Sequence, residues 1–356
     1  MSDERRIDLD TGKRHNLLWK VRRGWRLWRS GEVSLRRVVN AGLCHLSLRW
    51  RSSRVLGKPY YLTVEPTNAC NLRCPLCPTG RRTLGRKTTR LPLDLYKRCV
   101  DELGPYLMKV GLANYGEPLL HRHIVEMIAY AKARGSRVVM ASNGILLEKA
   151  GARALVQAGL DHIWISFDGT DQETYAKYRV GGELNGVIRA VRALLEARKS
   201  LGRTNPFIEL QFLVMRHNQH QIEDFRRVAD ELGVDGRIIK PVSFNVADWD
   251  DPDVRKTFFG EFFPENEQYR IYRRRSDGWW WKKDKLDFCT APWRSMTVLA
   301  DGSIVPCCRD PRGRYTMGNV ADGVLKVWNN EKFRAFRRAL ARGREKMDIC
   351  KVCPGE

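Results

Sequence analysis

Between residues 59 and 245, short apolar runs alternate with longer stretches of helical period, and this alternation restricts the fold more than any other feature. Strands are expected at Tyr61–Val64, Met108–Leu112, Arg137–Ala141, His162–Ser166, Phe207–Val214 and Arg237–Lys240. Helices are expected at Leu93–Leu103 behind Pro92, Ile124–Ala133, Leu147–Ala158 ended by Gly159, Leu184–Ser200, and Ile222–Leu232 ended by Gly233. A strand that returns parallel needs a crossover of about helix length, so the pattern means a parallel sheet covered by helices. Six such units predict an α/β fold, a partial (β/α)6 TIM-like barrel over residues 59–245 whose working side chains lie at the C-terminal strand ends.

Three further regions flank the barrel. Residues 246–287 break the alternation and read as a linker. Residues 288–356 read as a small C-terminal α+β unit: Thr297–Leu299 and Ser303–Val305 flank the turn signal Asp301-Gly302, and Asn330–Arg342 has helical period. A unit this small buries little apolar area, and a metal site would help hold it together.

Residues 1–58 form a basic extension. Residues 1–60 hold 15 Lys/Arg and 5 Asp/Glu, within a chain of net charge +23. Leu18, Val21, Trp25 and Trp28 recur at helical spacing among Lys20, Arg22, Arg23, Arg26 and Arg29. That is the makeup of a helix lying on an anionic membrane surface, although the same face can pack on the chain's own domain.

No run of about 18 apolar residues exists, and the charged start Met1–Asp10 carries no signal peptide. The expectation is a cytoplasmic chain, peripheral on the inner face of the membrane. Trp279-Trp280-Trp281-Lys282-Lys283 would suit stacking on a single-stranded nucleic acid. With no recognisable RNA-binding module, nucleic acid is not the expected partner.

Ten cysteines in a cytosolic chain read as metal ligands rather than disulfides. Cys70, Cys74 and Cys77 form C-x3-C-x2-C directly after the first strand. Three thiolates can bind three irons of a [4Fe–4S] cube and leave the fourth open. Zinc usually takes four ligands, and no fourth lies nearby. Cys289, Cys307, Cys350 and Cys353 make a second set, with Cys308 a rival for the position of Cys307 and a zinc knuckle the alternative content. Cys44 and Cys99 read as buried small apolar residues. His121 and His123 read as a solvated helix start.

The first cysteine motif resembles that of the radical S-adenosylmethionine (SAM) superfamily, and the likeness extends over roughly residues 60–245. It implies that SAM chelates the open iron and is cleaved by one electron to methionine and a 5′-deoxyadenosyl radical, which takes hydrogen from a substrate. It also implies a reducing partner such as flavodoxin or ferredoxin. Other positions are similar to family segments. Gly116, Glu117 and Pro118 resemble the segment that holds the SAM amino group. Ser142 and Asn143 resemble a SAM-side loop, Ser166 and Asp168 the ribose-contacting pair, and Arg179 the partner of the methionine carboxylate. Leu76 departs from the aromatic residue that many members carry before the last cysteine.

The second set resembles the C-terminal SPASM extension in its shortened, twitch form, which implies one auxiliary [4Fe–4S] cluster. Such a cluster can take the second electron of an oxidation. The domain plan is similar to an aminocyclitol dehydrogenase, and residues 1–58 are shorter than the peptide-binding domain that peptide maturases commonly carry. The expected substrate is therefore a small molecule, sugar or lipid-linked compound. Maturation of a ribosomal peptide and an RNA-acting radical enzyme are the alternatives. Glu65, Asn114, Gln211 and Lys240, at or near strand ends, are the candidate substrate contacts.

Overall fold

The computed structural model describes residues 7–8, 34–244, 248, 251–274, 280–282, 288–350 and 353. The basic helix expected over Leu18–Trp28 lies outside the described residues. The first described helix is α1 (Leu35–Arg49), capped by Ser34. Then follow β1 (Tyr61–Val64), α2 (Leu93–Leu103), β2 (Lys109–Leu112), α3 (Ile124–Ala133), β3 (Arg137–Ser142), α4 (Lys149–Gln157) and β4 (His162–Ser166). The barrel continues with α5 (Gln172–Tyr178), α6 (Leu184–Ser200), β5 (Phe207–Val214), α7 (Ile222–Leu232) and β6 (Gly236–Pro241).

β1 to β6 pair parallel, each with its sequence neighbour, and make a partial (β/α)6 barrel. A short strand, Ile7–Asp8, adds parallel to β6. Alternate strand residues point out under the helices. Leu62, Val110, Met140, Ile163 and Leu210 are each at most 1% exposed there. Each such burial contributes roughly 1.5–3 kcal/mol before entropy is counted. The opposite set, including Tyr61, Thr63, Trp164, Gln211 and Lys240, faces the barrel interior. Gly159 at φ +85° and Gly233 at φ +71° end the preceding helices in the left-handed region, which β-carbons disfavour.

Helix α5 had no sequence signal. Its residues QETYAKY lack an apolar period, yet Asp171 caps it by accepting from Thr174 N at 2.8 Å, and Tyr175 and Tyr178 are buried beneath it.

The stretch read as a linker is packed where it is described. α8 (Pro252–Thr257) runs into a π-turn at Phe258–Phe262. Phe258, Phe262, Phe263 and Tyr272 are buried against Phe244 and Tyr178. β7 (Tyr272–Arg274) pairs antiparallel with β8 (Trp280–Lys282), the middle of the Trp-Lys run.

The C-terminal unit contains α9 (Ala291–Arg294), β9 (Ser295–Val298), β10 (Ser303–Val305), β11 (Gly318–Asn319), α10 (Val324–Trp328) and α11 (Glu331–Arg342). Its hairpin does not form a separate sheet. β9 pairs parallel with β1, Ser295 opposite Tyr61, so the hairpin extends the barrel sheet to ten strands.

Candidate active site

The loop that leaves the C-terminal end of β1 carries Cys70, Cys74 and Cys77. It folds on itself: Cys77 N donates to Cys74 O at 3.1 Å, and Arg81 N to Cys77 O at 2.9 Å. A β-carbon on Gly80 would fall 2.5 Å from Cys74 N. Gly116 sits at φ +87°, and a β-carbon there would lie 2.2 Å from Thr67 O. Glycine at 116 lets the β2 loop touch the cysteine loop, with Glu117 N donating to Ala69 O at 2.8 Å. The sequence pattern Gly116-Glu117-Pro118 therefore abuts the cysteines directly.

The Glu117 carboxylate is buried. It accepts from Ser142 Oγ at 2.7 Å, Asn143 N at 2.8 Å and Leu119 N at 3.1 Å. A carboxylate offers about four acceptor positions, so one remains for an ammonium. Burial pushes this carboxyl above its usual range, against those donors. Asn143 Nδ2 donates to Asn71 Oδ1 at 2.8 Å, which ties the β3 loop to the cysteine loop. Asn71 gave no signal in the sequence, since nothing marks it apart from its neighbours.

Asp168 is fully buried. One oxygen accepts from Leu213 N at 2.7 Å and the other from Arg179 Nε at 2.6 Å. Arg179 Nη1 lies 3.8 Å from Cys74 Sγ. The resemblance to a ribose-contacting pair thus meets an Asp168 whose oxygens already orient Arg179 beside the cysteines. Ser166 closes β4 opposite Gln211.

The four strand-end candidates fall into two pairs. Glu65 is 0% exposed and accepts from Arg86 Nη2 at 2.8 and 2.9 Å, Asn114 Nδ2 at 3.1 Å and Ala300 N at 3.2 Å. Arg86 also donates from Nε to Pro311 O at 2.7 Å. Glu65 and Asn114 therefore belong to a clasp between the cysteine loop and the C-terminal unit. Arg86 was missed because its partners lie 21 and 225 residues away. A second buried acid, Asp248, is flanked by Arg81 at 3.4 Å and Arg312 at 2.9 Å across the same boundary. Lys240 Nζ, by contrast, donates to Gln211 Oε1 at 2.8 Å on the inner wall of the barrel. Partial desolvation on that wall lowers the Lys240 pKa, although the residue as a whole is exposed. Deeper in the barrel Glu209 accepts from Trp164 Nε1 at 2.6 Å and pairs with His162 at 3.0 Å.

His121 is not solvated. It is 2% exposed, with Nε2 2.9 Å from Leu91 O, because the turn at Pro118–Leu120 folds it under the cysteine loop.

Among the described residues no cysteine forms a disulfide, and Cys44 and Cys99 are buried among apolar side chains. Cys289, Cys307 and Cys350 pack against the main core, and Cys353 against the cluster that also holds Cys70, Cys74 and Cys77. Arg344, 1% exposed, donates to Cys353 O at 2.8 Å and holds the terminal turn.

Burial pushes the Cys70 thiol up to about 11, with Glu117 and its two sister thiols adding to the shift. Burial and the adjacent Cys353 and Cys289 raise Cys350 to about 12. Such thiols become thiolate ligands only where a cationic metal core offsets the burial and the crowded charge. Among the described residues no three Cys, His, Asp or Glu side chains close round one point as a single metal ion requires. A tetrahedral zinc would draw its sulfurs within about 4 Å of each other.

The model of the radical SAM superfamily matches residues 64–229, and that of an iron–sulfur cluster-binding domain matches residues 289–354. The chain belongs to the radical SAM superfamily. Its cofactors are SAM and [4Fe–4S] clusters, and its C-terminal region is a SPASM-type domain. A relative from Pyrococcus furiosus, the tungsten-containing aldehyde ferredoxin oxidoreductase cofactor-modifying protein, is 25% identical over 78% of this chain and 83% of its own length. The PqqA peptide cyclase of Granulibacter bethesdensis is 26% identical over 49% of this chain. Against the PqqA cyclase and three other curated relatives, the chain spans 37% to 48% of their own lengths. Streptococcus suis SuiB, solved with its precursor peptide SuiA, shares the fold at a TM-score of 0.60 and 15% identity, over 94% of this chain and 83% of that one.

Proposed function

We propose that this radical SAM enzyme oxidises a small-molecule, sugar or lipid-linked substrate held between its two cysteine sets. When bound, the groups supply an electron and a hydrogen-abstracting 5′-deoxyadenosyl radical at Cys70, Cys74 and Cys77, and an acceptor for the second electron at Cys289, Cys307, Cys350 and Cys353. One observation carries the reading: Cys353 packs into the same buried cluster as Cys70, Cys74 and Cys77. Cys353, the last of the second set, thus packs with the first set on one buried apolar cluster that includes Phe244, Phe258 and Tyr272, side chains that would help exclude water from a radical.

The chain's own residues divide the work. The Glu117 carboxylate accepts the SAM ammonium, held in place by Ser142 and Asn143. Gly116 and Pro118 shape that segment. Asp168 fixes Arg179, whose outer nitrogens meet the SAM carboxylate, and Ser166 meets the ribose. Gln211 and Lys240 contact the substrate from the barrel wall, and a lowered lysine pKa suits it to take the proton an oxidised alcohol releases. Glu65 and Asn114 hold the two cysteine regions in register. A flavodoxin- or ferredoxin-type donor reduces the enzyme, and the basic residues 1–58 place it on the inner face of a membrane.

Anaerobic reconstitution tests the reading. About eight irons per chain and deoxyadenosine formation are expected. Lys240→Ala is expected to form deoxyadenosine and less oxidised product. Four irons, or the loss of deoxyadenosine in Lys240→Ala, would overturn the assignment. Maturation of a ribosomal peptide is the second reading, favoured by the likeness to the PqqA peptide cyclase. Deuterium transfer to deoxyadenosine from a labelled peptide, and none from labelled sugars, would select it.

A further inference from the structure

Helix α1 sends polar side chains inward and most of its large apolar side chains outward. Its inner face sets Arg37, Asn40 and Ser47, all buried, beside Ala41, Cys44 and Leu48, which pack on the core. Each oxygen- or nitrogen-bearing group there is paired. Arg37 donates to the carbonyls of Gly104 at 3.1 Å and Arg134 at 2.7 Å, and to that of Gly135. Asn40 exchanges two hydrogen bonds with the Lys58 backbone, at 2.9 and 2.7 Å. Ser47 Oγ donates to Leu43 O at 2.8 Å and accepts from Leu56 N at 2.9 Å.

The outer face is apolar. Leu35 is 76% exposed, Val39 53%, Leu46 39% and Trp50 65%. Of the nine large apolar side chains exposed among the described residues, seven lie between Leu35 and Leu56. At about 3.6 residues per turn the helix positions fall on one stripe. Arg36 borders the stripe on one side and Arg49 on the other, both exposed, and exposed Arg51 and Arg54 follow. Residues 33–58 contain no Asp or Glu.

We propose that this face of α1 lies on an anionic lipid bilayer. The inference deepens the membrane placement given under the proposed function and rests on it. An apolar stripe edged by arginines enters the boundary between headgroups and acyl chains while the arginines meet lipid phosphates. The charge pattern disfavours the other occupants. A second copy of α1 would bring the same arginines face to face. Residues 13–31 carry seven Lys/Arg and no acid, so they repel α1 as well. The position has a consequence for the reaction. Gly104 and Gly135 precede β2 and β3, so Arg37 anchors α1 at the N-terminal ends of the strands. The barrel mouth opens at the other end. The docked enzyme therefore turns its active site to the aqueous side, and its substrate arrives from solution or on a tether long enough to reach round the barrel.

Flotation of the full, cluster-loaded chain with vesicles tests this. Phosphatidylcholine vesicles with and without phosphatidylglycerol are compared. Binding is expected to the anionic vesicles, with at least a tenfold smaller bound fraction on neutral ones, roughly as a polybasic surface requires. L46E/W50E is expected to lower anionic binding about tenfold, with melting temperature and deoxyadenosine formation unchanged. The milder pair Leu35→Ser and Val39→Ser is expected to act in the same direction. If wild type binds and both α1 variants bind equally well, the inference falls and the membrane placement stands on residues 1–33, which Trp25→Glu with Trp28→Glu then exposes. If wild type binds no anionic vesicle, both fall. If wild type is a dimer that L46E/W50E dissociates, a second copy covers the stripe and the proposal is overturned.

Discussion

The two cysteine regions are put in place by different routes. Cys70, Cys74 and Cys77 sit on one loop of eight residues, shaped by contacts within that loop and by Gly116 beside it. Cys289, Cys307, Cys350 and Cys353 span 65 residues, and their places depend on tertiary structure: the pairing of β9 on β1, the burial of Arg344, and the Glu65–Arg86 clasp. The first region is encoded by spacing and the second by the fold. Damage to the first should stop the chemistry in an intact protein, whereas the second should fail through distant residues as readily as through its own thiols.

The largest expected effect comes from Cys74→Ala. Deoxyadenosine formation should fall by more than about 100-fold, as for loss of a group that holds the reacting centre, while the melting temperature moves little. Persistent deoxyadenosine would break the comparison at its first term. Cys353→Ala should remove about four irons yet leave deoxyadenosine formation measurable, and Cys308→Ala should remove none. Iron loss in Cys308→Ala instead would make Cys308 the ligand.

Arg86→Ala probes the dependence on distant residues. It leaves Glu65 buried without its cation, which costs about 3–5 kcal/mol in denaturant unfolding. It should also lower auxiliary iron although Arg86 touches no cysteine of that set. Full auxiliary iron in this variant would mean that the C-terminal region holds its ligands unaided. Gly116→Ala should cost about 1–3 kcal/mol, because a β-carbon is strained at this φ and has no room against Thr67 O. A smaller cost would show that the cysteine loop can yield locally.

The smallest effect is in pH. Burial pushes the Glu65 carboxyl above its ordinary value, opposed by Arg86, Ala300 N and Asn114. Such a carboxyl binds its proton more readily folded than unfolded, so its ionisation costs stability and acidification relieves the cost. The metal-free wild type should therefore gain stability relative to Glu65→Gln as pH falls from neutral towards the ordinary carboxyl range. The opposite slope would show that Arg86 outweighs burial.

Much of the barrel was legible because burial imposes a period. Strands β1 to β6 and helices α2, α3, α6 and α7 carry apolar positions at spacings that only one face can satisfy. Helix α5 was not legible, since Asp171 and two tyrosines set it rather than a stripe. Nor was the packing of residues 251–274, because Phe258, Phe262 and Phe263 gain meaning only against Phe244 and Tyr178. At the site, the cysteine spacing, Gly116-Glu117-Pro118 and Arg179 were readable as a pattern. That Asp168 is bound up in orienting Arg179, and that Glu65 and Asn114 pair with Arg86, were not.

The sequence by itself determined the strand–helix alternation, the open-cornered thiol trio and the basic character of the first 58 residues, since each depends on neighbours a few positions apart. Tertiary structure alone decided that β9 extends the barrel sheet, that Cys353 packs on the same apolar cluster as Cys70, Cys74 and Cys77, and that α1 turns its exposed apolar stripe outward. Those outcomes depend on which surfaces meet across hundreds of residues, and a periodic pattern specifies that a face is apolar without specifying what covers it.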